Sequence, residues 1–273
     1  MNCESSLTAF GMPTLLEKPG ALDSAALCAA LSLSFVELNM NLPGYQPERM
    51  DERSLFEARE RYGVAFTLHL DENLNVCDIN PLVSKAYTQT ALWAIDLAKR
   101  HGMPVLNMHL PNGVYFTLPG RKVYLYEAYP KDYLSVLRDF RSACEDAIGG
   151  AAIRVYVENC GGFPSFAREG IELLLESEAF GLTWDIGHNH CAGGVDEPFL
   201  RLHLDKLRHM HLHDAKGAAE GAAEGAACHL PFGAGVLDIP AFLALAKSRA
   251  CRCVLEVKTI EGLKQSKEWL DGF

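Results

Sequence analysis

The residues able to do chemistry in this chain recur at one kind of place, the ends of short apolar runs. Glu37 lies in Val36-Glu37-Leu38-Asn39, His69 in Thr67-Leu68-His69-Leu70 and His109 in Asn107-Met108-His109-Leu110. Glu158 follows Val157, Asp185 follows Trp184 with His188 three residues on, and Glu256 and Lys258 close Leu255-Glu256-Val257-Lys258. One further run is His209-Met210-His211-Leu212-His213-Asp214. A buried carboxylate without a partner is expensive. Any one of these residues alone reads equally well as a structural ion pair or a hydrogen-bonded core histidine. Repetition along seven consecutive runs instead suggests one shared site, where imidazoles and carboxylates are held together by divalent cations.

The elements that must position these groups alternate through the chain. Short β-rich runs fall at 7–12, 35–39, 65–70, 105–110, 153–159, 182–185, 209–213 and 253–257. Helical patterns fall at 22–33, 51–62, 80–101, 130–148, 163–177, 196–207, 238–249 and 260–271. Asp196-Glu197-Pro198 and Asp238-Ile239-Pro240 each combine a capping carboxylate with an early proline. Leu134, Leu137, Phe140, Cys144 and Ile148 recur at helical spacing and predict a buried face. Eight strand–helix pairs predict an α/β fold, a (β/α)8 TIM barrel spanning 1–273 as a single domain, in which the strand ends converge on one mouth. The rival is a doubly wound open sheet. It lacks its usual support, since no Gly-x-Gly-x-x-Gly follows an early strand and no Gly-Lys-Ser/Thr loop exists.

Two segments exceed ordinary loop length. Residues 111–128 mix aromatic residues with Gly and Pro and read as either a lid or a packed surface excursion. The near-repeat GAAEGAAEGAA at 217–227 offers little to bury and reads as mobile or weakly helical.

Composition sets the outer bounds. The chain has 273 residues, 49% hydrophobic and 22% charged, which supports a substantial core and argues against disorder. With 25 basic and 35 acidic residues its net charge is -10, which disfavours a nucleic-acid partner and fits a small-molecule substrate. Nine cysteines without framework spacing suggest reduced thiols and a cytoplasmic protein. Cys251 and Cys253 read as a core or surface thiol pair, while Cys160, Cys191 and Cys228 fall near the proposed site. No secretory leader is evident, and no apolar run reaches the roughly 18 residues of a membrane span. A homodimer is compatible with the sequence but is not indicated by any segment.

Within the mouth, the Gly187 turn is expected to fold His188 back beside Asp185. On the seventh strand His209 should lie deep, His211 at the ligand layer and His213 at the rim.

His69, His109, VEN at 157–159, DIGH at 185–188, HLHD at 211–214, HLPFGAGVLD at 229–238 and the glutamate of LEVK at 255–258 together resemble the xylose isomerase-like barrel superfamily. That group includes sugar isomerases and epimerases, inosose dehydratases and endonuclease IV. The resemblance covers strands three to eight. It implies one divalent cation held by Glu158, Asp185, His211 and Glu256, with the two glutamates exchanging protons with adjacent carbons and His188 contacting substrate oxygens. By likeness to the three-zinc nuclease, His69 and His109 would hold a further metal bridged by Glu158, and His188 and His229 would belong to a third site. That third site also needs an aspartate two residues before His229, where this chain has Ala227.

Two reactions follow from this reading. The first is isomerisation or epimerisation of a sugar or sugar phosphate through an enediolate, with Glu158 and Glu256 as the proton-transfer pair and Lys258 and His188 holding substrate oxygens. The alternative is metal-dependent hydrolysis of a small phosphodiester, of the endonuclease IV-like type, with His69 and His109 supplying a second metal. A non-catalytic metal-containing barrel is the third reading, disfavoured by the number of ligand-type residues. Zinc or manganese lead as candidate ions, with iron or cobalt also suitable, one or two per chain.

Overall fold

A computed structural model describes residues 8–217 and 227–273. In chain order the strands are β1 (Ala9–Pro13), β2 (Phe35–Asn39), β3 (Ala65–His69), β4 (Val105–His109), β5 (Tyr115–Leu118), β6 (Arg121–Tyr124), β7 (Arg154–Glu158), β8 (Phe180–Asp185), β9 (Leu207–Leu212), β10 (Asp214–Lys216), β11 (Ala227–Leu230) and β12 (Arg252–Leu255). The helices are α1 (Ala21–Ala30), α2 (Glu52–Tyr62), α3 (Pro81–His101), α4 (Leu125–Ala128), α5 (Pro130–Ile148), α6 (Ser165–Leu175), α7 (Ile186–Cys191), α8 (Glu197–Leu202), α9 (Ile239–Arg249) and α10 (Ile260–Asp271).

Eight strands close into a barrel in the order β1-β12-β9-β8-β7-β4-β3-β2, and the paired strands run parallel. Parallel strands covered by helices are buried on both faces, which explains why the runs are continuously apolar rather than alternating. The register then levels the polar ends. His109 lies opposite Glu158, Asp185 opposite His211 and Asn39 opposite His69.

The helices bury the faces that periodicity predicts. On α5, Leu137, Phe140, Cys144 and Ile148 are buried, joined by Tyr133, while Leu134 is only partly covered. Phe140 meets Phe180 of β8 edge to face, with ring centroids 6.1 Å apart. Each such side chain contributes roughly 1.5–3 kcal/mol by leaving water.

Four expectations change. The predicted helix over 196–207 is two pieces, α8 and a single 3-10 turn at Leu204–Lys206, and α7 precedes them directly after Asp185. Asp238 caps α9 by accepting the Ala241 N–H at 3.1 Å, but Asp196 makes no such cap and accepts the Phe163 N–H at 2.7 Å instead. Segment 111–128 is not an irregular loop, because β5 and β6 pair as an antiparallel hairpin with Tyr115 and Phe116 exposed. Cys191 and Cys228 are joined by a disulfide between α7 and β11, whereas Cys28, Cys77, Cys144, Cys160, Cys251 and Cys253 are free. Residue 7 and the repeat at 218–226 lie outside the described residues. No described helix is long and apolar enough to cross a membrane.

After β9 the chain leaves the barrel as a small arm in which β10 pairs antiparallel with β11. Buried Asp214 holds the arm to the turn that follows it. Its Oδ1 accepts the N–H groups of Ala215 at 2.9 Å and Leu237 at 3.0 Å, and its Oδ2 those of Gly233 at 3.0 Å and Gly235 at 2.8 Å. Gly235 is required by this approach, since a Cβ there would collide with the Ala215 carbonyl and the Asp214 carboxylate. Replacing Asp214 by Ala strands several buried donors and should cost about 2–4 kcal/mol in urea unfolding, whereas Leu82→Ala on the exposed face of α3 should stay within about 0.5 kcal/mol.

Candidate metal centre

Glu158 ends β7, Asp185 ends β8, His211 lies near the end of β9, and Glu256 directly follows β12. All four are buried, and they can each bring one ligand atom within 4.8 Å of the others. His211 Nδ1 is the focus. It lies 3.1 Å from Glu158 Oε1, 3.3 Å from Glu256 Oε2 and 3.9 Å from Asp185 Oδ2.

The donor set fits a divalent cation. His211 Nε2 faces Glu37 Oε1 at 2.8 Å, so the ring gives its Nε2 proton to Glu37 and turns Nδ1 toward three carboxylates. Glu256 Oε1 accepts from Lys258 Nζ at 2.8 Å, whereas buried Glu256 Oε2 has no hydrogen-bond partner among the described residues and points at the same place. Three carboxylate oxygens and one imidazole nitrogen match the mixed ligands that zinc, manganese, iron and cobalt accept.

Electrostatics reports the same crowding. Burial pushes Glu158 and Glu256 up, but the imidazole of His211 outweighs it, with His109 helping at Glu158 and Lys258 at Glu256. Both carboxyls stay well below the usual range. Burial lowers His211, yet Glu158, Glu256 and Glu37 together raise it well above an ordinary histidine.

The residues beside this set fall into two groups. On one side, His69 Nδ1 donates to the Leu70 carbonyl at 2.8 Å, leaving Nε2 aimed at Glu158 Oε2, 3.3 Å away. His109 Nε2 reaches the same oxygen at 3.4 Å but, among the described residues, does not converge with two other ligand-type side chains. Burial lowers His109, while Glu158 and the neighbouring exposed Cys160 lift it to about 11. Asn107, held by Thr183 Oγ1 at 2.6 Å, also donates to Glu158 Oε2.

On the other side, Asp185 Oδ1 caps α7 through the His188 N–H at 2.6 Å, which folds His188 back over the mouth as the Gly187 turn predicts. His188 Nε2 lies 3.9 Å from Asp185 Oδ2. His229 sits on β11 with φ +56°, a strained conformation for a residue with a Cβ. Its Nδ1 donates to the Glu256 carbonyl at 3.0 Å, and burial lowers it to about 4.

His213 departs from its expected place at the rim. It is fully buried, with Nε2 3.0 Å from Asp185 Oδ1 and Nδ1 accepting the His229 N–H at 2.8 Å. Gly187 makes room for it, since a Cβ there would overlap the His213 ring. His188, His213, His229 and Glu256 form a further grouping within 4.8 Å, but both nitrogens of His213 are already engaged. Glu37, given no role from sequence, accepts from His209 Nε2 at 2.9 Å, His211 and the Thr67 hydroxyl at 3.1 Å. His209 lies deep, as expected, and there it hydrogen-bonds Glu37. The only sequence signal for Glu37 is its position at a strand end.

Comparison with known proteins agrees with this architecture. Residues 25–273 match the family model described as a xylose isomerase-like TIM barrel. A protein of Methanocaldococcus jannaschii, uncharacterized protein MJ1311, is 27% identical over 239 residues, covering 80% of this chain and 73% of that one. Among solved structures, a D-tagatose 3-epimerase-like protein superposes with TM-score 0.74 at 23% identity, covering 97% of this chain and 96% of its own. The 3-keto-D-glucoside 4-epimerase YcjR from E. coli gives 0.74 at 14% identity, covering 98% and 100%. The IOLI protein, solved with a binding zinc atom, gives 0.70 at 15% identity, covering 97% of each chain. The closed parallel barrel, its polar mouth and the match across residues 25–273 together establish that this chain belongs to the xylose isomerase-like TIM barrel family.

Proposed function

We propose that this protein is a divalent-metal-dependent isomerase or epimerase of a small sugar or sugar phosphate, acting by proton transfer at carbon through an enediolate. The observation that carries the reading is the pair Glu158 and Glu256, buried on either side of His211 Nδ1 at 3.1 and 3.3 Å. Two carboxylates held at the ends of different strands, both close to one ligand-type nitrogen, suit removal of a proton by one and its return by the other. Similarity to sugar epimerases of the same fold supports the choice of substrate class.

A cation bound by Glu158, Asp185, His211 and Glu256 would supply Lewis acidity toward substrate oxygens. The protein's own residues do the rest. Glu158 is oriented by Asn107, so its proton-accepting oxygen has a fixed direction. Lys258 holds Glu256 through Oε1 and, being half exposed, offers its remaining N–H groups to a substrate hydroxyl. His188, partly open to solvent, is placed by the α7 cap near Glu256, where it can contact a further substrate oxygen.

One observation favours the second reading, hydrolysis of a small phosphoester. His69 and His109 converge on Glu158 Oε2, as they would to share a second cation with that glutamate. Metal stoichiometry separates the two: one ion per chain fits the isomerase, and a second that is lost in His69→Ala and His109→Ala fits the hydrolase.

The decisive assay offers metal-loaded protein a panel of ketoses and ketose phosphates in heavy water and follows deuterium entering carbon by NMR. Glu158→Gln and Glu256→Gln should each slow exchange about 10²–10⁴-fold, and chelation should abolish it until metal is restored. Wild-type exchange rates in both variants would rule the mechanism out.

Metal binding itself should depend on pH in a defined direction. In the metal-free protein the surrounding carboxylates raise His211, so an incoming cation competes with protons for its Nδ1. Affinity should therefore rise with pH, about tenfold per unit for each proton released. Calorimetry in buffers of different ionisation enthalpy reads that proton directly, and binding without proton release would contradict the assignment.

A further inference from the structure

We infer that Glu37 is a positioning residue that fixes which nitrogen of His211 faces the centre. The inference rests on the metal-binding reading given above, and concerns a residue one layer behind it. Glu37 is 2% exposed, and its carboxylate is filled from three directions. Oε1 faces His211 Nε2 at 2.8 Å, while Oε2 faces His209 Nε2 at 2.9 Å and accepts from the Thr67 hydroxyl at 3.1 Å. A carboxylate in this state only accepts, so both imidazoles must give it their Nε2 protons.

That requirement decides His211. With Nε2–H tied to Glu37, only Nδ1 is left to meet Glu158, Asp185 and Glu256. His209 does not compete for the centre. It lies two residues deeper on β9, is fully buried, and its Nδ1 has no partner among the described residues, so its task is to complete the shell of Glu37. Thr67, on the neighbouring β3, prevents the carboxylate from rotating away from His211. A carboxylate behind a metal-binding histidine typically changes metal affinity by about 10–100-fold when removed.

Glu37→Gln keeps the size of the side chain but can offer only one acceptor oxygen, so one of the two imidazoles must face an N–H group. Zinc alone is the probe, with its dissociation constant read by competition against a chromogenic chelator. The expected result is a constant weaker by about 10–100-fold for Glu37→Gln, with its metal-free urea midpoint near wild type. Equal zinc affinity, within about twofold, would overturn the inference, as would a loss of urea stability without loss of affinity. A second measurement uses wild-type protein and needs no variant to fold. In the zinc-loaded protein labelled with 15N-histidine, the His211 Nε2 should carry a slowly exchanging proton and Nδ1 the ligand shift. The reverse pattern would overturn the role of Glu37 while leaving the metal reading intact. Failure of wild-type protein to bind zinc at all would overturn both, and the two failures are thereby told apart.

Discussion

Four carboxylates, those of Glu37, Glu158, Asp185 and Glu256, are buried at one end of the barrel, none more than 8% exposed. Ionised acids so placed repel one another and lose their hydration, and the ordinary response would be to take up protons. Here the groups instead lie around His211, with Lys258 at the edge, and Glu37, Glu158 and Glu256 are held in the ionised direction despite burial. This balance organises the mouth. His211 is placed where it offsets Glu37, Glu158 and Glu256 together, and the central position, faced by its Nδ1 and by the Glu256 oxygen that has no hydrogen-bond partner among the described residues, is where a divalent cation would offset further charge.

The surrounding structure keeps those charges from relaxing apart. The parallel register places the strand ends at a common level. Asn159 exchanges two hydrogen bonds with the backbone of Asp185, each 2.9 Å long, and so ties the end of β7 to the end of β8. Asp214 holds the β10–β11 arm, which in turn carries His229 beside Glu256. Loss of the Asp214 tie would strand buried donors and free the arm that places His229 beside Glu256, costing stability and site geometry together. The geometry of the mouth and the local stability therefore rest on the same hydrogen bonds.

Much of this was legible in the residues themselves. A buried Glu, Asp or His at the end of an apolar run is costly, and its repetition on successive strands points to a shared site, which singled out His69, Glu158, Asp185, His211 and Glu256, while their grouping as ligands came from the family resemblance. The direction in which a side chain is used was harder. His213 follows the same alternation as His209 and His211, and nothing in spacing distinguishes a rim residue from one drawn inward by Asp185 and by the space above Gly187. Glu37 was visible as a costly residue but not as a partner, because its imidazoles lie 172 and 174 positions away in the chain and are brought to it only by barrel closure. The hairpin at 115–124 was hidden for another reason. Its strands are short and exposed, so they lack the apolar alternation that marks a strand.

Ala227 bears most directly on the chemistry available to this mouth. In the resemblance, a third metal needs an aspartate there to complete a site with His188 and His229. The structure offers His213 in the same neighbourhood, but that ring already joins Asp185 to the backbone of His229. A histidine so engaged supports the core ligand set rather than adding to it. On the opposite side no such commitment exists. His69 has its Nδ1 satisfied by the Leu70 carbonyl and presents Nε2 to Glu158, the arrangement of a histidine ready to bind a cation. The two flanks are therefore unequal. On the proposed reading the β8–β9 side serves positioning and leaves His188 to meet a substrate oxygen, while an additional cation would sit on the β3–β4 side, where it would share Glu158 and compete with the proton-transfer role proposed for that carboxylate. A glutamate cannot bridge two cations and at the same time serve as a base of ordinary strength, so the occupancy of His69 and His109 and the identity of the reaction are one question.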